Sequence, residues 1–344
     1  MGERNQVMVK SNLVRLGGGI LLLLPLCLYS HNNKGLSLSY TASDNLYLLN
    51  IKESGSIISI SPFIQYQSYF DFNFDGTVSL INLSTTNLFL ENNFKLQKVL
   101  YLPGVGNKNS TYLRLYSFLA TSYEIYRFVN LSIGDSINVY ILNNYLFSSG
   151  IGVTYRLFLS DSLSDYLETE ARSSISIPLP YFFFIPDVTA GLKMYENETL
   201  PFYKFSPKLN FPLLLNFSFG VSFVYSYFTP PKRDLSLSAI YTDDPFFEEE
   251  VVEQMLGVKI YSKKLFLQNY SQLNIGLQAF DKKFFEVDNQ ERKDKGLIAN
   301  VTFKKFININ SSFSIHLESL LNSSTIKDFE YTKNSIELRF ELIF

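Results

Sequence analysis

His316 is the only histidine beyond residue 31, and Glu318 stands two residues on. In a strand this spacing puts both side chains on one face, where a carboxylate could orient an imidazole for general-base work. A hydrolytic site needs a nucleophile or an activated water as well. No partner motif accompanies the pair, so the expected reading is two polar residues on a common face, and no enzyme. Asp71-Phe-Asn73-Phe-Asp75-Gly76 matches the first half of a calcium loop, D-x-N-x-D-G. A full loop carries Glu at its twelfth position between two helices; Asn82 stands there, and the flanks read as strands. The plainer reading is a hairpin turn at Asp75-Gly76. Gly104-Val-Gly106-Asn-Lys108 imitates a phosphate loop but lacks the GxxxxGK[ST] spacing and a following helix. Asp243, Asp244, Glu248, Glu249, Glu250 and Glu253 form an acidic stretch with no base among them. Such a stretch attracts cations or simply keeps an exposed loop solvated. None of these motifs establishes a metal or cofactor site.

The elements that would hold such residues follow from composition and periodicity. The chain has 344 residues, 46% hydrophobic and 18% charged, with 32 Phe, 23 Tyr, no Trp and one Cys. That excludes collagen-like, disordered and disulfide-framework proteins. A formal net charge of -2 excludes a strongly basic protein, so nucleic acid is not an expected partner. Arg4, Lys10 and Arg15 precede the apolar run Leu16 to Leu28. That run is too short for a spanning helix, which takes about 20 residues, and fits the core of a secretory signal. Residues 1-30 are therefore expected to be a signal peptide and 31-344 the working domain, with Met8 as a second possible start. Pro25 and Leu26 before Cys27 are too large for a lipidation box, so Cys27 reads as part of the signal.

Beyond the signal no stretch keeps helical spacing; period-2 alternation recurs instead. Phe217, Phe219, Val221, Phe223, Tyr225 and Tyr227 share one face, against Asn216, Ser218, Gly220, Ser222 and Ser226 on the other. Ile151, Val153, Tyr155, Leu157 and Leu159 oppose Gly152, Thr154, Arg156 and Ser160, and the pattern returns in 273-279, 297-304 and 313-318. Alternation of this kind suits a soluble sandwich, with apolar faces inward, or a membrane barrel, with apolar faces toward lipid and polar faces toward a lumen. Aromatic residues on the apolar faces, often near strand ends, and the leading signal both favour the barrel.

Ser335 to Phe344 alternates almost throughout, with Ile336, Leu338, Phe340, Leu342 and Phe344 on one side and Ser335, Glu337, Arg339 and Glu341 on the other. This segment resembles the closing strand of bacterial outer-membrane β-barrel proteins, which ends in an aromatic residue, usually Phe. The resemblance implies an all-β fold, a single transmembrane antiparallel up-and-down barrel, in the bacterial outer membrane. It implies that the closing strand is read by the barrel-assembly machinery, and that lipid and lipopolysaccharide surround the wall. No subfamily is recognisable. At roughly 10 residues per strand plus connections, about 12 to 16 strands fit, and about 14 are expected. Counting hairpins back from the C-terminus makes the links near Asn310-Ser311, Asn269-Tyr270 and Pro212 periplasmic. The external loops become 323-334, 281-295, 229-253 and 195-203. The acidic stretch then lies in an external loop that could bridge lipopolysaccharide through divalent ions. Upstream of residue 150 both faces are often apolar and the register stays open.

Arg156, Lys304, His316, Glu318, Glu337, Arg339 and Glu341 are expected to face the lumen. Their mixed signs either line a water channel or pair with one another and close it. A pore for small solutes is the favoured function; a closed structural or adhesion barrel with interacting external loops is the alternative. A hydrolase is disfavoured by the histidine count, and a soluble secreted β protein would be extracted without detergent. No residue in the sequence marks a subunit interface, so the oligomeric state is open.

Overall fold

The computed structural model describes residues 33-44, 54-66, 71-81, 88-103, 106-120, 128-141, 145-159, 165-214, 216-229, 252-266, 270-285 and 291-344. The segment 1-30 and the acidic residues 243-250 lie outside the described residues. The first eight strands are β1 (Asn33–Ser43), β2 (Gly55–Tyr66), β3 (Asp71–Ile81), β4 (Leu88–Tyr101), β5 (Lys108–Ala120), β6 (Phe128–Ile141), β7 (Tyr145–Phe158) and β8 (Tyr166–Pro178). Four shorter segments follow: β9 (Phe183–Ile185), β10 (Asp187–Met194), β11 (Thr199–Phe205) and β12 (Lys208–Leu214). The last six are β13 (Phe217–Phe228), β14 (Val252–Phe266), β15 (Ser271–Phe284), β16 (Lys293–Asn308), β17 (Ser311–Ser324) and β18 (Tyr331–Ile343).

Every pairing is antiparallel, and β1 closes on β18 from Gly35↔Ile343 to Ser43↔Ser335. Closure removes the sheet edges, as a membrane barrel requires. The eighteen segments make sixteen staves, not about fourteen. Both β9 and β10 pair with β8, so they are one stave interrupted at Pro186. Likewise β11 and β12 both pair with β13 and are one stave interrupted at Ser206-Pro207. Proline has no N–H for the ladder, yet its carbonyl still serves: Pro186 O accepts from Ile175 N–H at 3.3 Å and Pro207 O from Phe223 N–H at 2.9 Å. These interruptions hide two short staves inside irregular sequence, which is why a count by ten-residue periods falls low.

The connections alternate in length. At the C-terminal end of the barrel they span 67-70, 102-107, 142-144, 179-182, 215-216, 267-270 and 309-310. At the opposite end, here the mouth, they include 44-54, 229-251, 285-292 and 325-330. The hairpin polarity counted from the C-terminus therefore matches the connectivity, with the turn near Pro212 displaced to 215-216. The expected turn at Asp75-Gly76 is overturned: both residues lie inside β3, with Asp75 opposite Phe63 and Asn93 and Gly76 opposite Asn92. In an extended strand Asp71, Asn73 and Asp75 are spaced along the chain and do not wrap round one ion as a calcium loop does.

Concavity tells the two faces apart. Side chains pointing into a barrel crowd, and those pointing out splay. The large exposed side chains are apolar and alternate along the staves: Leu38, Tyr40, Ile60, Leu131, Ile133, Val153, Phe223, Tyr225, Ile275, Leu277, Val301, Ile336 and Leu338. The crowded ones are often polar, among them Ser110, Asp187, Thr189, Lys193, Ser222, Asp294 and Asn322. Hydroxyl pairs link inner positions of neighbouring staves, as between Ser59 and Ser79 at 2.7 Å and Thr154 and Ser132 at 2.9 Å. Inner glycines sit directly opposite aromatic residues in the pairs Gly35–Phe63, Gly134–Tyr112, Gly191–Phe202, Gly220–Tyr261 and Gly296–Phe280. A Cβ at any of these glycines would come within 2.1 to 2.6 Å of the facing ring. The ring thus lies flat over the glycine and covers its backbone, a device that stabilises glycine in sheets and fixes register.

Candidate functional site

The inner face of the closing wall is a polar ladder across β16, β17, β18 and β1. Register aligns Thr302, His316 and Glu337 in one row, and Lys304, Ser314 and Arg339 in the next. Lys304 Nζ donates to Glu341 Oε2 at 3.1 Å, Arg339 Nε to Glu337 Oε1 at 2.9 Å, and Lys333 Nζ lies 3.6 Å from Glu318. Thr302 Oγ1 and His316 Nδ1 are hydrogen-bonded at 2.8 Å, whereas His316 Nε2 stands 3.9 Å from Glu318. A hydroxyl, an imidazole and a carboxylate thus share one wall. The last gap exceeds hydrogen-bond reach, so Glu318 does not orient the ring as a catalytic carboxylate would. Charged residues at alternate positions of adjacent staves meet because the pleat puts them on one face.

Arg156 stands apart from this ladder, on β7. Its Nε donates to Asn130 Oδ1 at 2.9 Å, and its guanidinium lies over the rings of Phe128 at 5.0 Å and Tyr166 at 5.5 Å. Phe118, Phe128, Phe158 and Tyr166 form a buried cluster here, on the mouth side of the inner wall. Lys193 Nζ, itself buried, faces Tyr166 at 5.0 Å and Phe228 at 5.3 Å, with Glu168 at 3.9 Å. Cations over ring faces are held electrostatically where water is scarce. Toward the other end Arg114 Nε donates to Asn93 Oδ1 at 2.7 Å, beside Lys95, which lies 5.4 Å over Tyr112. Asp187, buried at the interruption of its stave, takes a bidentate Arg172 and lies 3.8 Å from Lys208.

At the mouth Arg292 is fully buried. Its Nε reaches both oxygens of Asp294 at 3.1 Å, and its guanidinium is sandwiched between Phe284 at 4.0 Å and Phe329 at 3.6 Å. Asn322 Nδ2 donates to Asp294 at 3.1 Å and to Phe329 O at 2.7 Å. The 3-10 turn Lys327–Phe329 is thereby tied to β16 and β17. Glu253 belongs to β14, where it accepts from Lys283 Nζ at 2.8 Å; Asp243, Asp244, Glu248, Glu249 and Glu250 are outside the described residues. On the loop 285-292 the Glu291 carboxyl is held below the usual carboxylate range, chiefly by its hydrogen bond to Lys293.

Periodicity alone places the β16 to β18 ladder, because its alternation is unbroken. The aromatic and basic patch of β5 to β8 does not stand out in sequence, since Phe128, Phe158 and Tyr166 are inner residues at strand ends that look like any other aromatic. Arg292 and Asp294, on either side of the first residue of β16, carry no sequence signal, because the rings of Phe284 and Phe329 that enclose Arg292 come from separate segments.

No family model matches the chain, and no curated protein matches its sequence. Among solved structures it is similar to the outer membrane protein OprD from Pseudomonas aeruginosa, at 11% identity and TM-score 0.50, over 91% of this chain and 94% of that one. Acinetobacter baumannii OccAB4 gives 10% identity and TM-score 0.51, over 92% and 99%. A bacterial polysaccharide outer membrane secretin gives 7% and 0.52, also over 92% and 99%. Likeness at this identity is one of fold, and the fold is the closed antiparallel β-barrel of outer-membrane proteins.

Proposed function

We propose that this chain spans a bacterial outer membrane and works as a water-filled channel for small polar solutes, without catalysing a reaction. The observation that carries this reading is a closed barrel of sixteen staves with an apolar outer face and a polar, charged inner one. Barrels of 16 to 18 strands leave an aqueous channel, whereas those of about 8 fill with their own side chains. Inner ion pairs such as Lys304–Glu341 and Arg172–Asp187 join staves at most two apart. Charges paired along the wall, and not across the bore, suit a lumen that stays hydrated. Arg156, Lys304, His316, Glu318, Glu337, Arg339 and Glu341 are then lining residues that hold hydration and set ion preference.

Two partner readings accompany it. Ile336, Leu338, Phe340 and Leu342 lie on the lipid side of β18, and Phe344 is an exposed terminal aromatic whose N–H donates to Lys34 O at 2.6 Å. We assign these five residues to recognition by the barrel-assembly machinery. The acidic residues from Asp243 to Glu253 are assigned to the external surface, facing lipopolysaccharide and its divalent ions. The channel reading is tested by swelling of proteoliposomes in isosmotic sugars of increasing size. Swelling that falls with solute radius supports it; proteoliposomes as tight as protein-free ones overturn it.

A further inference from the structure

On the closing wall the inner cations Lys304, Arg339 and Lys333 stand within reach of Glu341, Glu337 and Glu318. On β4 and β5 the register instead sets Lys95 directly opposite Arg114. Both point inward. Arg114 shares a column with Tyr112, whose ring covers the inner Gly134, and Lys95 lies 5.4 Å over that same ring. Among the described residues neither cation has a carboxylate within ion-pair distance. Arg114 Nε donates to the neutral Asn93 Oδ1 at 2.7 Å, and its guanidinium lies 5.4 Å over Tyr116. Lys95 is the eighth of fourteen residues in β4 and Arg114 the seventh of thirteen in β5, so the pair stands at mid-depth.

The six inner positions next to the pair are neutral and polar. They are Asn93 and Gln97 on β4, Tyr112 and Tyr116 on β5, Asn73 opposite Lys95, and Ser132 opposite Arg114. Asp71 and Asp75, on β3, stand one position further out, opposite Gln97 and Asn93. Like charges directly opposite on adjacent strands destabilise a sheet. The wall that pairs its charges between β16 and β18 thus keeps two cations together here, at a depth that a solute crossing the bore must pass. A departure from local rules that returns nothing to the fold marks a functional site. Each cation rests against a tyrosine ring, which helps to order it, and Arg114 remains exposed to the bore.

We propose that Lys95 and Arg114 bind a doubly charged oxyanion at mid-bore, sulfate or the phosphate group of a small ester, as a stage in its passage. The inference rests on the channel reading above. Two positive charges side by side match a dianion. With Nε given to Asn93, the two terminal nitrogens of Arg114 offer N–H donors to the oxyanion, and the Lys95 ammonium adds a point charge. Asn73 and Ser132 extend the row with hydrogen-bonding groups on either side. Arg and Lys lining a pore favour anions and phosphate, and conduction requires that the bound ion also leave. Water in the bore weakens each contact, so the ion is held briefly and released.

The test uses the full chain purified in detergent. Single-channel current is recorded in about 0.1 M KCl, where screening sets in over about 10 Å, while potassium sulfate is added. Sulfate is expected to reduce the current in a saturable manner. Lys95→Gln/Arg114→Gln is expected to raise the half-blocking concentration about tenfold or more, as loss of charge-assisted hydrogen bonds should. Lys263→Gln, which removes an exposed inner cation of β14 opposite Ser218, is expected to leave it within about twofold, since screening confines its influence. Glycerol phosphate separates the two sources: block by both ions extends the site to esters, and block by sulfate alone assigns it to the free ion. Equilibrium dialysis of radiolabelled sulfate against the micellar protein needs no conducting pore, and saturable binding that the double variant loses is expected. Heat-shifted migration reports that each variant is folded. Conducting protein that sulfate does not block, or a block that Lys263→Gln shifts as much as the double variant does, overturns this inference alone. Saturable sulfate binding by protein that never conducts supports the site and overturns the channel reading. Folded protein that neither binds sulfate nor conducts overturns both.

Discussion

Replacing Arg292 with Met tests whether the mouth is held by a buried ion pair or merely decorated by one. Arg292 and Asp294 are 0% and 2% exposed, so neither charge is hydrated. With the guanidinium gone, Asp294 keeps only Asn322 Nδ2 at 3.1 Å, and the rings of Phe284 and Phe329 lose the cation between them. Removing one partner of a buried pair costs about 3–5 kcal/mol, because the other charge stays buried without compensation. An exposed pair would cost about 1 kcal/mol or less, so the two cases are separable. The assay is equilibrium urea unfolding in detergent micelles, followed by tyrosine fluorescence and by band shift on unheated gels. Arg292→Met/Asp294→Leu is expected to regain most of the loss, since apolar replacement of an entire buried pair is often neutral, and Asn322 retains Phe329 O as a partner. A loss below about 1 kcal/mol for Arg292→Met, or a double variant no better than the single, would refute the argument.

Three further outcomes are expected. Gly191→Val should destabilise the barrel by about 1–3 kcal/mol, the range for overpacking, because its Cβ would meet Thr169 O and the Phe202 ring at 2.3 and 2.5 Å; the same urea assay reads it. Lys304→Gln should change stability by about 1 kcal/mol or less, the pair being partly solvated, yet leave Glu341 uncompensated on the lumen wall and move the reversal potential in a salt gradient toward cation preference. Deleting Phe344 should lower the amount of protein assembled in cells several-fold while leaving detergent refolding of the purified chain unchanged, as measured by heat-shifted migration.

How far the sequence could be read depended on how cleanly each strand separates its faces. From 217 onward the alternation is regular, so the inner ladder of Thr302, Lys304, His316 and Glu318 and the outer column ending at Phe340 and Leu342 were legible, and hairpin polarity followed. Upstream, inner aromatic residues such as Phe128 and Phe158 make both faces apolar, and the outward Asn92, Asn109 and Asp135 put polar groups on the wrong one. Register there is fixed by pairs such as Gly134–Tyr112, which only a partner strand makes visible. The stave number is not legible in the sequence, because Pro186 and Pro207 split two staves into segments too short to show a period. Asp75-Gly76, a favoured turn pair, is carried through β3 by pairing on both sides, a case of tertiary context overriding local preference.

The central claim is a hydrated bore through a membrane-spanning barrel, and single-channel recording of the purified protein in a planar bilayer tests it most directly. The account predicts discrete, long-lived conductance steps that scale with bulk electrolyte conductivity and respond in selectivity to Lys304→Gln. Protein shown by heat-shifted migration to be folded and inserted, yet electrically silent at all voltages, would contradict it and leave a closed barrel whose outer loops do the work.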